Sequence, residues 1–167
     1  SLEPEKRILA SLFQSVSPRT AGFNTVDLAS LSEAGQCITI VLMLIGGSPG
    51  STAGGMKTTT VAVLFATAIS TFRRQESGHF FGRRVDDDVV KNAATILVMY
   101  LALFFFGGLT ISIAEKLPML TCLFEAASAV GTVGLSLGIT PGLGIVSKII
   151  LITLMFCGRV GGLTLIF

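Results

Sequence analysis

The 167 residues are 51% hydrophobic and 13% charged, with a mean hydropathy of +0.80, whereas a soluble globular domain carries about 25% charged residues. The composition is that of a membrane protein. Lys and Arg outnumber Asp and Glu by 12 to 10, a formal net charge of +2, which is too small an excess to point to nucleic acid as a partner.

The opening residues, Ser1 to Arg7, contain neither an initiator Met nor a signal-peptide pattern, and the chain ends abruptly in apolar text at Phe167; both ends suggest a segment of a longer chain. An apolar piece over residues 8–16 leads into Thr20-Ala21-Gly22-Phe23-Asn24. It is about half as long as the roughly 20 residues a spanning helix needs, a length that suits a re-entrant half-helix. Between Leu31 and Phe72, two apolar arms (residues 34–45 and 61–72) flank the flexible stretch Gly46-Gly47-Ser48-Pro49-Gly50-Ser51-Thr52-Ala53-Gly54-Gly55-Met56-Lys57. Neither arm is long enough to span alone.

Residues 73–91 form the strongly charged connection, with Arg73, Arg74, Arg83, Arg84 and Lys91 beside Asp86, Asp87 and Asp88. A short loop rich in Lys and Arg marks the cytoplasmic side. Residues 93–114, AATILVMYLALFFFGGLTISIA, contain no charge and predict a spanning helix running outward. A second half-helix over 119–130 dips back in and leads into Thr132-Val133-Gly134-Leu135-Ser136, and residues 143–167 return inward, carrying Lys148 near the start and Arg159 well inside. Helix, re-entrant loop and helix follow one another as in a K⁺-channel pore unit. Cys37, Cys122 and Cys157 lack metal-ligand spacing and read as small apolar residues.

The pattern repeats. An offset of 112 positions superposes Thr20-Ala21-Gly22-Phe23-Asn24 on Thr132-Val133-Gly134-Leu135-Ser136 and pairs Ile40 with Ile152, Leu42 with Leu154, Met43 with Met155 and Gly46 with Gly158. Upstream, Leu12-Phe13 matches Leu123-Phe124 after a one-residue adjustment. Membrane transporters built from repeats place the substrate site where the repeats meet.

A permeating K⁺ must shed water, and an extended backbone with its carbonyls aimed at the axis replaces that shell. Gly22 and Gly134 suit such a ladder because it demands dihedrals costly for a residue with a Cβ. Thr20 and Thr132 could add hydroxyls at the inner mouth, while the half-helices turn their negative C-terminal ends toward the cation. Non-helical backbone at membrane depth is tolerated only where protein buries it or water bathes it, so Gly46 to Lys57 is read as lining the path below the first filter segment and acting as a gate. Gly50 to Gly55 has the glycine spacing of a phosphate-cradling loop, but Met56 separates Gly55 from Lys57 and no hydrophobic strand precedes it. Arg159 falls by the repeat at the position of Gly47; a cation at that depth usually faces a cavity or a partner. There it would repel K⁺ or tether the gate loop. Glu125, just before a filter segment, could hold the filter through backbone N–H groups or draw cations inward.

At this point the text resembles the Ktr/Trk/HKT superfamily of K⁺ and Na⁺ transporters, and within it the bacterial KtrB-like membrane subunits. The matching stretches are SVSPRTAGFNT at 15–25, GGSPGSTAGGMKTTT at 46–60, FGRRV at 81–85, FEAASAVGTVGLS at 124–136 and LMFCGRVGGLT at 154–164. The resemblance implies an all-α membrane fold of helix–pore loop–helix repeats, four in one chain around a single pore, of which this sequence corresponds to the last two. Residues 1–72 would be the third repeat without its outer helix, 73–91 a cytoplasmic loop and 92–167 the fourth repeat. It also implies that the two Thr-x-Gly segments are filter segments, that Gly46 to Lys57 is an intramembrane gate, and that Arg159 faces the pore. A homodimer in the bacterial plasma membrane is implied, spanning the bilayer several times and binding a cytosolic ring of nucleotide-binding, KtrA- or TrkA-like regulatory subunits, with the loop from Arg73 to Asp88 as part of the docking surface.

The resulting expectation is K⁺ uptake down its electrochemical gradient with no covalent chemistry, no cofactor and no metal beyond the transported ion. Na⁺-coupled, proton-coupled and channel-like modes stay open, as does a Na⁺-permeable or non-selective transporter of the same fold, since a Ser for Gly change in other filter segments is associated in the family with Na⁺ permeation. A membrane enzyme would call for clustered His, Asp or Glu in the spans, and a purely structural subunit would have no need of duplicated Thr-x-Gly segments.

Overall fold

A computed structural model describes residues 4–51, 53–73, 79–80, 83–84 and 86–160. Thr52 of the expected gate, Arg74 of the charged connection, Phe81, Gly82 and Val85 of the FGRRV stretch, and the 161–167 end of the expected second span lie outside the described residues.

Helix α1 (Pro4–Val16) opens on a proline, whose fixed φ and missing N–H suit a first turn. Helix α2 (Glu33–Leu44) starts where the Ser32 hydroxyl accepts from the Gly35 amide at 3.2 Å. The glycines and proline from Gly46 onward stop it. Helix α3 (Thr58–Phe72) resumes twelve residues beyond Gly46, so the two arms lie within a residue or three of the expected bounds. In the charged connection, β1 (His79–Phe80) pairs antiparallel with β2 (Arg83–Arg84), His79 opposite Arg84 and Phe80 opposite Arg83. This two-residue hairpin is an addition to an otherwise helical fold.

Helix α4 (Asp87–Glu115) is 29 residues long. It exceeds the expected 93–114 because Asp87 and Asp88 place negative charge at its positive N-terminal end and let the polar first turns continue the helix. It stops at Lys116, in a left-handed conformation with φ 55°, just before Leu117-Pro118. Helix α5 (Met119–Val130) has the predicted bounds. Helix α6 (Ile145–Val160) completes the described chain.

The short α5 is the centre of the packing. It lies against α2, α4 and α6, while α4 also packs on α3 and α6. Every residue from Phe124 to Val130 is buried, and the small side chains of Ala126, Ala127, Ser128 and Ala129 let the surrounding helices close in. On α4, Gly107 and Gly108 leave room for Leu154 of α6 and Leu123 of α5; a Cβ at Gly108 would come 2.5 Å from the Leu123 Cδ2. Tyr100 of α4, 0% exposed, donates its hydroxyl proton to the Gly158 carbonyl of α6 at 2.8 Å. At the opposite end, Glu115 accepts from the Gly144 amide at 2.8 Å and the Ser147 hydroxyl at 2.6 Å, joining the end of α4 to the start of α6.

The outer surfaces are apolar. Val98, Phe105, Phe106 and Ile113 of α4 and Ile145, Ile149, Ile152 and Phe156 of α6 are exposed, stripes of aliphatic and aromatic side chains of the kind that mark contact with lipid or protein. Among the described residues, α4 is the one helix long and apolar enough by length and composition to cross a membrane.

Candidate ion-conduction site

Near the C-terminal end of each half-helix stands a serine whose carbonyl receives an amide five residues on. Ser17 accepts from Gly22 N at 3.1 Å, and Ser128 accepts from Val133 N at 2.9 Å. The chain thereby curls off the helix end and straightens through the Thr-x-Gly segment. Thr20 and Gly22 have φ of 64° and 71°; Thr132 and Gly134 have φ of 53° and 89°; the residues between them, Ala21 and Val133, are not in the left-handed region. Both segments therefore alternate the sign of φ in the same register. That alternation turns successive carbonyls of an extended strand toward one side. A left-handed β-branched residue is a true outlier, persisting only where its surroundings impose it. Here there are two at corresponding positions.

The segments are neighbours in space. A Cβ added to Gly22 would collide with the carbonyl oxygen of Val133. Beneath the second segment, the Gly131 backbone packs against the carbonyl of Met43 at the end of α2, and Gly158 of α6 packs against the carbonyl of Val130. Met43 and Gly158 thus reach the same end of α5, close to the level that the repeat assigns to Gly47 and Arg159.

The interruption between α2 and α3 is an ordered loop. Its neck is closed by Met56 N donating to Leu44 O at 3.1 Å, Gly46 N to Met56 O at 2.8 Å and Thr58 N to Gly47 O at 3.2 Å. Its tip, Ser48-Pro49-Gly50-Ser51, is a type II turn, with proline second, glycine third at φ 81°, and Ser51 N bonded to Ser48 O at 3.1 Å. The Lys57 ammonium donates to the carbonyls of Ser51 at 2.9 Å and Ala53 at 2.8 Å, strapping the loop internally. The tip is exposed, but Gly54, Gly55 and Met56 are buried. Gly54 lies so close to Thr132 that a Cβ there would collide with the Thr132 hydroxyl, and that hydroxyl is buried without a hydrogen-bond partner.

Arg159 is exposed on the last described turn of α6, and among the described residues no hydrogen bond or ion pair joins it to the loop. Lys148 donates to the Pro141 carbonyl at 3.2 Å near the start of α6. Glu125 is 4% exposed and accepts from the second segment. Two residues that sequence reasoning overlooked also bear on the site. The Ser17 hydroxyl donates to the Phe23 carbonyl, closing the first segment on itself, and the Gln14 amide is buried with neither its oxygen nor its nitrogen partnered. The one-residue adjustment that matches Leu12-Phe13 with Leu123-Phe124 also places Gln14 on Glu125 and Ser17 on Ser128, a signal that could have found both. Among the described residues no group of three His, Cys, Asp or Glu is placed to hold a metal.

The family model for the TrkH cation transport protein matches residues 1–167. The chain belongs to the TrkH family. Within the family it is similar to the Ktr system potassium uptake protein B of Bacillus subtilis, with 40% identity over 161 residues covering 96% of this chain and 36% of that protein. It is 39% identical over 166 residues to the potassium/sodium uptake protein NtpJ of Enterococcus hirae, covering 97% of this chain and 37% of that protein. The potassium transporter TrkH from Vibrio parahaemolyticus superposes with a TM-score of 0.82 at 24% identity, over 99% of this chain and 38% of that one. The chain thus spans little more than a third of the length of these TrkH-family relatives.

Proposed function

We propose that the chain supplies two filter segments and the gate of a pore that takes up K⁺ across a cell membrane without covalent chemistry. The observation that carries this reading is the shared backbone of Thr20 to Gly22 and Thr132 to Gly134, with φ alternating in sign at the same positions in two segments that touch. Carbonyls so aligned can replace the hydration shell of a cation. The division into a third-repeat unit (1–72), a cytoplasmic connection (73–91) and a fourth-repeat unit (92–167) follows from the same reading, with several spans in a bacterial plasma membrane.

The gate is Gly46 to Lys57. Its burial against Thr132 supports a loop that closes the inner mouth of the filter when seated and clears it when withdrawn. The exposure of Arg159 near that level is consistent with a cation facing the water-filled path, where it would set the barrier to K⁺. The charged connection from Arg73 to Asp88 is the proposed docking surface for a cytosolic nucleotide-binding ring, in keeping with relatives named as parts of a Ktr system, and the transporter is proposed to work as a homodimer. A Na⁺-permeable or Na⁺-coupled variant of the same reading is favoured by the potassium/sodium designation of one relative.

The test is Rb⁺ and Na⁺ uptake by K⁺-import-deficient cells expressing a full-length transporter that carries this sequence. Rb⁺ accumulation competed by K⁺ is the expected result. Cells that take up no more Rb⁺ than the deficient host would exclude the reading, and uptake of Na⁺ at the Rb⁺ rate would replace K⁺ selectivity with the non-selective alternative.

A further inference from the structure

We propose that Glu125 is the positioning residue that fixes the outer arm of the second Thr-x-Gly segment and so determines how well the pore discriminates among cations; this inference rests on the filter reading above. Its carboxylate sits in the second half of α5, 4% exposed. One oxygen, Oε1, accepts from the Ser136 hydroxyl at 2.7 Å and from the Leu137 amide at 2.9 Å, and the other, Oε2, accepts from the Thr140 hydroxyl at 2.8 Å. Ser136 in turn accepts from the Gly138 amide at 2.9 Å. The chain leaving the filter is thereby folded around one carboxylate, from its last filter residue to the short turn at Thr140.

A carboxylate accepts and does not donate, and hydrogen bonds to it are shorter and stronger than neutral ones. Three donors from one five-residue stretch therefore set the distance between that stretch and a helix that is itself locked among α2, α4 and α6. The segment can neither slide along α5 nor lift from it without breaking bonds to a buried acceptor, which costs more than the bonds contribute when made. A filter that chooses between ions by cavity size or by carbonyl number depends in either case on where its carbonyls are held.

The first segment lacks this device. At the position equivalent to Glu125 stands Gln14, whose amide meets no partner. The arm beyond Gly22 is held by the Ser17 hydroxyl on the Phe23 carbonyl and by a local turn in which Val26 N donates to the Asn24 side chain at 3.3 Å. Phe23 is 70% exposed where its counterpart Leu135 is 2% exposed. Within this chain the second arm is the fixed one. Glu125 lies behind the filter chain with its oxygens directed to protein donors, and this geometry assigns it to positioning and not to contact with the ion.

The experiment compares Glu125→Ala, Glu125→Gln and the double variant Ser136→Ala/Thr140→Val in a full-length transporter, measuring membrane abundance, Rb⁺ uptake, the KM for K⁺ and the K⁺/Na⁺ uptake ratio. Glu125→Ala should lower the ratio by about tenfold, equivalent to about 1.4 kcal/mol, and raise the KM, with abundance preserved, because all three bonds that hold the arm are removed. Glu125→Gln retains an acceptor oxygen at Oε1 and should restore the ratio to within about threefold of wild type, a rescue that a requirement for negative charge alone would not give, while Ser136→Ala/Thr140→Val, which leaves the bulk at position 125 unchanged, should lower the ratio as a requirement for bulk alone would not. A ratio unchanged in Glu125→Ala, or Glu125→Gln no better than Glu125→Ala, overturns the proposal. If Glu125→Ala fails to reach the membrane, Ser136→Ala/Thr140→Val decides: a lowered ratio supports the clamp, and a wild-type ratio overturns it. Absence of Rb⁺ uptake in the wild type would instead remove the filter reading itself and the inference with it.

Discussion

Thr20 and Thr132 stand in a region of backbone space that costs a residue with a Cβ about 1–3 kcal/mol, and they do so at corresponding places in two segments. The two glycines that follow them are not equivalent, however. Gly22 has a positive φ and a carbonyl where its Cβ would go, whereas Gly134 has a positive φ and no atom of this chain within 4 Å of such a Cβ. Gly22→Ala should therefore abolish Rb⁺ uptake, while Gly134→Ala, bearing only the left-handed penalty of roughly 1–2 kcal/mol per residue, should retain a measurable fraction. Uptake assays on the two variants at matched abundance check this order. The Thr-x-Gly text and its repetition made these residues legible without coordinates. Ser17 and Gln14 were not singled out, because a serine and a glutamine in an apolar half-helix say little by themselves; only the adjusted repeat that sets them on Ser128 and Glu125 marks them.

At the scale of elements, chain length and charge decided most of what could be read. The second half-helix was bounded correctly because Pro118 and Gly131 punctuate it, and the break between α2 and α3 was legible because glycine, serine and proline interrupt text that is otherwise long enough to span. The extent of α4 was underestimated, since an apolar run marks the buried middle of a helix and not the acidic first turn that precedes it. The seating of the loop was also hidden: nothing in residues 46–57 indicates that Gly54, rather than the type II turn at the tip, is the part pressed against Thr132. Gly54→Ala places a methyl group against the Thr132 hydroxyl and should unseat the loop, raising Rb⁺ flux several-fold over wild type. Removing residues 48–55 should raise it at least as much. Flux at or below the wild-type rate in both variants would show that the loop does not close the path.

On the scale of the whole molecule, the exposed apolar stripes of α4 and α6 and the charged connection before α4 define which parts meet lipid and which meet water. The predicted orientation puts Arg73 on the cytoplasmic side and Pro141 outside. With Cys37, Cys122 and Cys157 replaced by Ser, a cysteine introduced by Pro141→Cys should react with a membrane-impermeant maleimide in intact cells. One introduced by Arg73→Cys should react only after permeabilisation. The reverse pattern would invert the topology.

One contact joins these scales. Gly54 of the loop covers the Thr132 hydroxyl, and that hydroxyl has no other partner. With the loop as gate and Thr132 as the inner mouth, an ion or its water drawn to that oxygen and the seated loop compete for one place. Two equilibria that share a site are linked reciprocally: whatever loads the filter from below favours an open gate, and whatever seats the gate empties the lowest ion position. Permeating ion concentration is then itself a gating variable, and conductance should depend on cytoplasmic K⁺ more steeply than simple occupancy of a rigid filter allows.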